Sequence, residues 1–178
     1  MTTIVPATVQ DASVLQTIGS LSLLQSHGHS APSHVMQTYL SEKFSRDALA
    51  AELADEQNIF CLIYHNDQPA GYSKIIYRQP LPQVPEKNIT KMERLYLLQE
   101  YYSLKLGRQL LQYNIELSKS QGDAGMWLYA WKENERALRF YTRAGFKIIG
   151  DGWFRLTDEH ANPNWLMMLL YEKEDGQG

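Results

Sequence analysis

At 178 residues, 44% hydrophobic and 21% charged, the chain is long enough to bury a continuous core without disulfide or metal staples. Its 17 basic and 20 acidic residues leave a formal charge of −3, too balanced for a dedicated nucleic-acid binder with a basic stripe. A single cysteine, Cys61, excludes an internal disulfide, and no apolar run approaches the roughly 20 residues that span a bilayer.

In chain order, Thr3 to Thr8 is short and β-branched and is read as a first strand. Asp11 then caps a helical stretch with apolar positions at Val14, Leu15, Ile18, Leu21 and Leu24. Ser26 to Ser33 is turn chemistry, and its His27-Gly28-His29 has no third ligand at metal spacing, so it is expected to be a flexible loop near the acceptor mouth. Ser33 caps a second helix to about Phe44, and Ser45 a third through Leu49, Leu53 and Ala54. Asn58 to His65 and Gly71 to Tyr77, joined by Asn66-Asp67-Gln68-Pro69, carry the signal of a β-hairpin. Between Gln79 and Pro85, prolines at 80, 82 and 85 remove donors and predict an irregular surface connection.

Met92 to Leu98 reads as a fourth strand, followed by an amphipathic helix with Leu106, Leu110, Leu111, Ile115 and Leu117 on one stripe. Gly122 to Gly125 stops it, and Met126 to Trp131 is a fifth strand. Asn134 caps a last helix carrying Ala137, Leu138, Tyr141 and Ala144, with Gly145 where a C-terminal cap belongs. Phe146 to Phe154 and Asn164 to Tyr171 complete the strands. The order is mixed α/β without a linker or repeat, so residues 1–172 are read as one domain and 173–178 as a polar tail.

Chemistry concentrates in two stretches. From Glu93 to Leu111 a strand runs through a tight loop onto a helix, an arrangement that aims unpaired backbone N–H groups and a helix dipole at one point. A pyrophosphate is the natural guest, and Gly107 would let backbone approach it closely. From Trp127 to Phe146 a second strand leads to Asn134, Ala137, Phe140-Tyr141 and Gly145-Phe146.

Together these stretches resemble the two halves of the acetyl-CoA site in the GNAT superfamily of N-acetyltransferases. The resemblance spans about 93–149, through Leu95-Tyr96-Leu97, Leu106-Gly107-Arg108-Gln109-Leu110-Leu111, Asn134, Ala137, Phe140-Tyr141 and Gly145-Phe146. Within that superfamily the chain is similar to bacterial spermidine/spermine N-acetyltransferases linked to sporulation control. The likeness is carried by Thr38-Tyr39-Leu40, Phe44, Ala70-Gly71-Tyr72-Ser73-Lys74, Glu93-Arg94-Leu95-Tyr96, Trp127-Leu128 and Asn134. The resemblance implies a mostly antiparallel sheet of about seven strands, splayed between the fourth and fifth and flanked by helices. One departure stands out: the usual Arg/Gln-x-x-Gly-x-Gly loop is here Tyr102-Ser103-Leu104-Lys105-Leu106-Gly107. Lys105 replaces the first glycine, where a positive φ would cost on the order of 1 kcal/mol.

Amine acylation requires a deprotonated amine, a polarised thioester carbonyl and a protonated leaving thiolate. The resemblance implies that backbone groups of Leu95, Tyr96 and Leu97 pair with pantetheine and polarise the acetyl oxygen. It further implies that Tyr102, Ser103, Leu104, Lys105, Leu106, Gly107 and Arg108 wrap the pyrophosphate. Asn134 would bond pantetheine, with Arg136, Ala137 and Arg143 near the nucleotide end. Tyr141 is the expected general acid, and Glu93, on the strand face of Leu95 and Leu97, the base acting through a water. Trp127 is expected in the core, whereas Trp131 belongs either there or in an amine tunnel. Asp151, Asp158, Glu159 and His160 either read a polyamine's second ammonium or are ordinary loop charges. The co-substrate is acetyl-CoA, with no metal, and the partner a small amine; neither nucleic acid nor membrane is expected, and a homodimer is a family expectation.

The opening residues lack the basic stretch and apolar core of a signal peptide. With the lone cysteine, this leads to an expected cytoplasmic location. A polyamine is the expected acceptor; the rivals are a protein N-terminus or lysine, or a non-catalytic CoA sensor suggested by the altered glycine loop.

Overall fold

The structure is a computed structural model and describes residues 1–173, so all but the first residue of the expected tail at 173–178 lies outside the described residues. The strands are β1 (Thr2–Pro6), β2 (Asn58–His65), β3 (Gln68–Ile76), β4 (Thr90–Leu97), β5 (Gly125–Trp131), β6 (Lys147–Thr157) and β7 (His160–Leu170). They form one seven-stranded sheet in the order β1-β2-β3-β4-β5-β7-β6. Every neighbour pair is antiparallel except β4 with β5. The helices are α1 (Ala12–His27), α2 (Ser33–Lys43), α3 (Arg46–Ala54), α4 (Leu106–Ser120) and α5 (Glu135–Arg143). A 3₁₀ turn, Gln99–Leu104, links β4 to α4.

Two apolar layers hold the sheet. On one face Ala12, Leu15 and Ile18 of α1 and Leu49 of α3 pack on Phe60, Leu62 and Tyr72. On the other, Leu111 and Ile115 of α4, with Leu138, Phe140 and Tyr141 of α5, pack on Ile75, Met92, Met126 and Leu128. The α4 stripe is thus buried as its period requires. The α1 stripe is rotated from expectation: Leu21 and Leu24 are 45% and 44% exposed, whereas Ser22 and Leu23 face inward. Strict periodicity favoured the leucines, but the helix ends over a cavity and not over solid core.

Local signals were mostly realised. Ser45 and Asn134 accept the N–H groups of Ala48 and Ala137 at 3.1 and 3.2 Å. Gly145 closes α5 with φ of 101°. Asn66 and Asp67, at φ of 49° and 64°, make a two-residue turn of the type whose twist matches a hairpin. Other expectations need correction. Ser33 does not cap α2, since Pro32 holds that position. The Asp11 carboxylate accepts the Thr8 N–H at 2.8 Å, behind α1. The proline-rich segment is irregular but is not a bare surface connection: Leu81 and Val84 are buried with Trp127, whose indole donates to the Gln79 carbonyl at 2.8 Å. β7 begins before the expected Asn164 because Pro163 pairs opposite Trp153 and its carbonyl accepts Lys132's N–H at 3.0 Å. Cys61 is buried, with its thiol pushed up to about 11 by burial, as suits an inert core thiol. Among the described residues no helix is long and apolar enough to cross a membrane.

Candidate active site

β4 and β5 pair only at their beginnings, Thr90 with Met126 and Lys91 with Trp127. Beyond those two pairs the strands part, and a cavity of about 240 Å³ opens between residues 93–97 and 128–131. A gap inside a sheet leaves strand edges unpaired, which is normally costly. Leu98 donates its N–H to Ala70 of β3 at 2.9 Å. Alternation along the strand therefore directs Tyr96's backbone to β3 as well, and that of Leu95 and Leu97 into the gap. Of the three residues expected to offer backbone bonds, Leu95 and Leu97 present them; Tyr96 lines the cavity but its backbone is taken.

Glu93 is misplaced by the simple strand pattern. The β3–β4 register steps from Lys74 opposite Arg94 to Ile75 opposite Met92, leaving Glu93 as the extra residue of a β-bulge. Glu93 consequently leaves the face of Leu95 and Leu97 and sits 2.9 Å from the Lys74 ammonium. Lys74 also meets Glu52 of α3 at 3.1 Å, and Arg94 grips the same carboxylate with two bonds of 2.8 and 3.0 Å. Partial burial opposes Glu93's charge, but the hydrogen bond and charge of Lys74, backed by Arg94 and Lys91, hold its carboxyl below the usual range. It is therefore a weaker base than an unpaired carboxylate. It is also the one carboxylate among the described residues lining the cavity.

Tyr141, on α5, enters from the opposite side of the gap, its ring edge-on to Phe140 and Phe146. Burial, reinforced by Tyr96, raises its phenol above the ordinary value, so the proton is retained. Burial likewise pushes Tyr96 up to about 12.

The expected phosphate end lies at the start of α4. The residue that precedes it, Lys105, has φ of 59°, the left-handed conformation expected where a glycine is missing. Among the described residues no side chain caps α4, so its opening amides remain available, whereas α5 is closed by Asn134. A second cavity, lined by Lys105, Gly107, Arg108, Arg136, Arg139 and Arg143, lies against that helix end. A Cβ added at Gly107 would meet only the Phe140 ring, at an ordinary 3.7 Å, so packing does not demand glycine there. Tyr102 lies 3.3 Å beneath the Arg136 guanidinium and, with Leu97, borders both cavities. A left-handed turn, free amides and five cations form a set that fits a diphosphate carrying a negative charge.

The remaining expected residues divide cleanly. Asn134, Arg136 and Ala137 line the gap cavity. Ser103 and Leu104 are exposed beside the site without lining it, and the Leu106 side chain is buried with Cys61 and Leu110, leaving only its backbone for a ligand. Trp127 is core, while Trp131 lines the cavity between His27 and His29, each ring 5.2 Å away. The α1–α2 loop meets the last hairpin: Asn162 Nδ2 donates to Ser30 Oγ at 2.9 Å, and His160 Nε2 lies 3.1 Å from the Ser30 carbonyl. Asp151 pairs with Lys132 at 3.1 Å, and neither it nor Asp158, Glu159 or His160 lines the cavity. His27 lines the cavity, in keeping with its expected place near the acceptor mouth, and unforeseen contributors are Ser22, Ser26, Phe154, Asn162 and Asn164. Only Ser22, a polar residue within an apolar helix stripe, left a readable signal.

Replacing Lys105 separates backbone from charge. Lys105→Gly should change stability by less than about 1 kcal/mol, because relief of left-handed strain is offset by glycine's greater unfolded entropy. Calorimetry should nevertheless show acetyl-CoA binding weakened by about tenfold, as expected for one lost charge-assisted contact.

A sheet prised open between two parallel strands, beside an uncapped helix start ringed by cations, has the form of an acyltransferase cleft for a phosphate-bearing acyl carrier. The profile of the acetyltransferase (GNAT) family matches residues 24–146, and the chain belongs to that family. It is 26% identical over 135 residues to an uncharacterized N-acetyltransferase of Lactobacillus delbrueckii subsp. lactis, covering 76% of this chain and 78% of that protein. It is 26% identical over 113 residues to the spermidine N(1)-acetyltransferase of Thermoplasma acidophilum, covering 64% and 68% respectively. Its fold matches the crystal structure of the PaiA N-acetyltransferase of Thermoplasma acidophilum in complex with coenzyme A. That match has a TM-score of 0.80 at 21% identity and covers 96% of this chain and 99% of the other. The protein is thus an acetyl-CoA-dependent N-acetyltransferase.

Proposed function

We propose that the protein transfers acetyl from acetyl-CoA to a small primary amine, with a polyamine such as spermidine or spermine as the acceptor. The observation that carries this is the gap cavity, where a buried phenol, two free strand-edge residues and one carboxylate converge. The N–H groups of Leu95 and Leu97 hold pantetheine and polarise the acetyl oxygen. Lys105, Arg108, Arg136 and Arg143, with the amides of Leu106 and Gly107, take the diphosphate. Glu93 attracts the ammonium, which loses a proton to water. The nitrogen then attacks the thioester carbon; the C–N bond forms, the C–S bond breaks, and Tyr141 gives its proton to sulfur. The nitrogen's last surplus proton returns to Tyr141 through solvent. Support for a polyamine comes from the likeness to a spermidine acetyltransferase and from Glu93; the polyamine's remaining ammonium groups meet no second carboxylate among the described lining residues.

Thiol release from acetyl-CoA, followed against spermidine, spermine, a lysine peptide and a free peptide N-terminus, is expected to be fastest with the polyamines. Preference for a peptide would move the acceptor assignment. Stabilisation by acetyl-CoA without turnover of any amine would leave a carrier-binding sensor and defeat the proposal.

A further inference from the structure

The last turn of α1 forms a wall of the gap cavity that the reaction above does not use. Ser26 Oγ lies 2.8 Å from the Ser22 carbonyl, to which its hydroxyl can donate. When it does, the same oxygen faces His27 Nδ1, 2.6 Å away, as an acceptor. With the serine hydrogen so placed, the imidazole hydrogen lies on Nδ1 and Nε2 carries a lone pair. His27 lines the cavity, and its Nε2 has no partner among the described residues. The ring is held against Trp131 with an interplanar angle of 32°. Burial, then the charge of His29, pushes its pKa down to about 4, so the ring is neutral at pH 7.

Two polar atoms of this wall, Ser22 Oγ and Trp131 Nε1, are buried with no partner among the described residues. The residues are only 2% and 3% exposed. Polar groups left unpaired in one enclosed wall are destabilising unless something meets them. A deprotonated primary amine brings two N–H donors, the complement of a bare imidazole nitrogen.

We propose that His27 is an acceptor-binding residue, its Nε2 taking an N–H of the incoming amine while Ser26 holds the tautomer that leaves Nε2 open. This rests on the N-acetyltransferase reading of the gap. It also gives the nitrogen a directional anchor that Glu93, already tied to Lys74, supplies only as charge.

His27→Phe keeps an aromatic ring on Trp131 and removes the acceptor. With spermidine as the amine, kcat/KM for the amine should fall about tenfold or more while KM for acetyl-CoA is unchanged. Ser26→Ala should produce a smaller fall of the same kind. In ¹⁵N spectra of the wild type, His27 should carry its hydrogen on Nδ1, and its Nε2 resonance should move when CoA and N-acetylspermidine are added together. Unchanged amine kinetics in His27→Phe, equal rises in both KM values, or a hydrogen found on Nε2 would each overturn the proposal. Should His27→Phe not fold, the wild-type spectra decide alone. A wild type that acetylates no amine removes the acetyltransferase reading and this inference together, an outcome distinct from an active enzyme indifferent to His27.

Discussion

Tyr141→Phe is expected to lower kcat by about 10²- to 10⁴-fold, the usual contribution of a positioned general acid, with KM for acetyl-CoA little changed. The hydroxyl is the one group lost, and the ring contacts with Phe140 and Phe146 survive in the variant. Melting temperature should therefore stay close to wild type. The sign of the pH dependence follows from burial. Because the phenol's pKa is raised, Tyr141 stays protonated above the ordinary tyrosine range. Activity should rise with pH as the amine, whose free pKa is roughly 10.4, gives up its proton, and Tyr141 imposes no alkaline loss below about 10. Steady-state kinetics with spermidine from pH 6 to about 10 provide the check. A Phe variant that retains most of kcat removes the acid assignment; a parallel loss of acetyl-CoA affinity would mean the tyrosine serves binding.

The second large effect concerns stability. Glu52 accepts Lys74 and the two terminal guanidinium nitrogens of Arg94, and the Lys74 and Arg94 side chains are 6% and 7% exposed. Glu52→Leu leaves Lys74 with Glu93 alone and Arg94 with no ion pair among the described residues. Removing one partner from a buried ionic cluster is expected to cost about 3–5 kcal/mol. For a chain of this size that lowers the melting temperature by on the order of 10 °C. Glu116→Ala, which breaks an exposed 3.9 Å pair with Lys119, should cost well under about 1 kcal/mol by the same measurement. Equal losses in the two variants would show that the Glu52 cluster is solvated. Acid adds a signed expectation. The lowered pKa of Glu93 makes its stabilising share complete above the unfolded value of 4.5 and lost as pH falls through its lower folded value. Chemical denaturation across that range tests it.

The two large effects differ in how far their residues were visible beforehand. Tyr141 was legible because the Asn134 cap, the Phe140-Tyr141 pair and Gly145 are local signals with fixed offsets, and the structure realises each of them. The left-handed backbone of Lys105 before α4 was legible for the same reason. Glu93 was assigned to the wrong face because strand reasoning assumes unbroken alternation, and a bulge is decided by the partner strand. The Glu52–Lys74–Arg94 cluster joins residues 22 and 42 positions apart, and no local pattern announces such a pairing. His27 read as loop chemistry because its meaning depends on Trp131, more than a hundred residues away.

By itself, the sequence determined the alternation of elements, their caps and turns, and the two strand–loop–helix units, since these depend on neighbours within about a helical turn or a hairpin. Only the tertiary structure decided where β4 and β5 part, which backbone edges face the opening and which polar side chains enclose it. Those properties arise from the register of strands distant in the chain, and a shift of one residue turns every side chain to the opposite face.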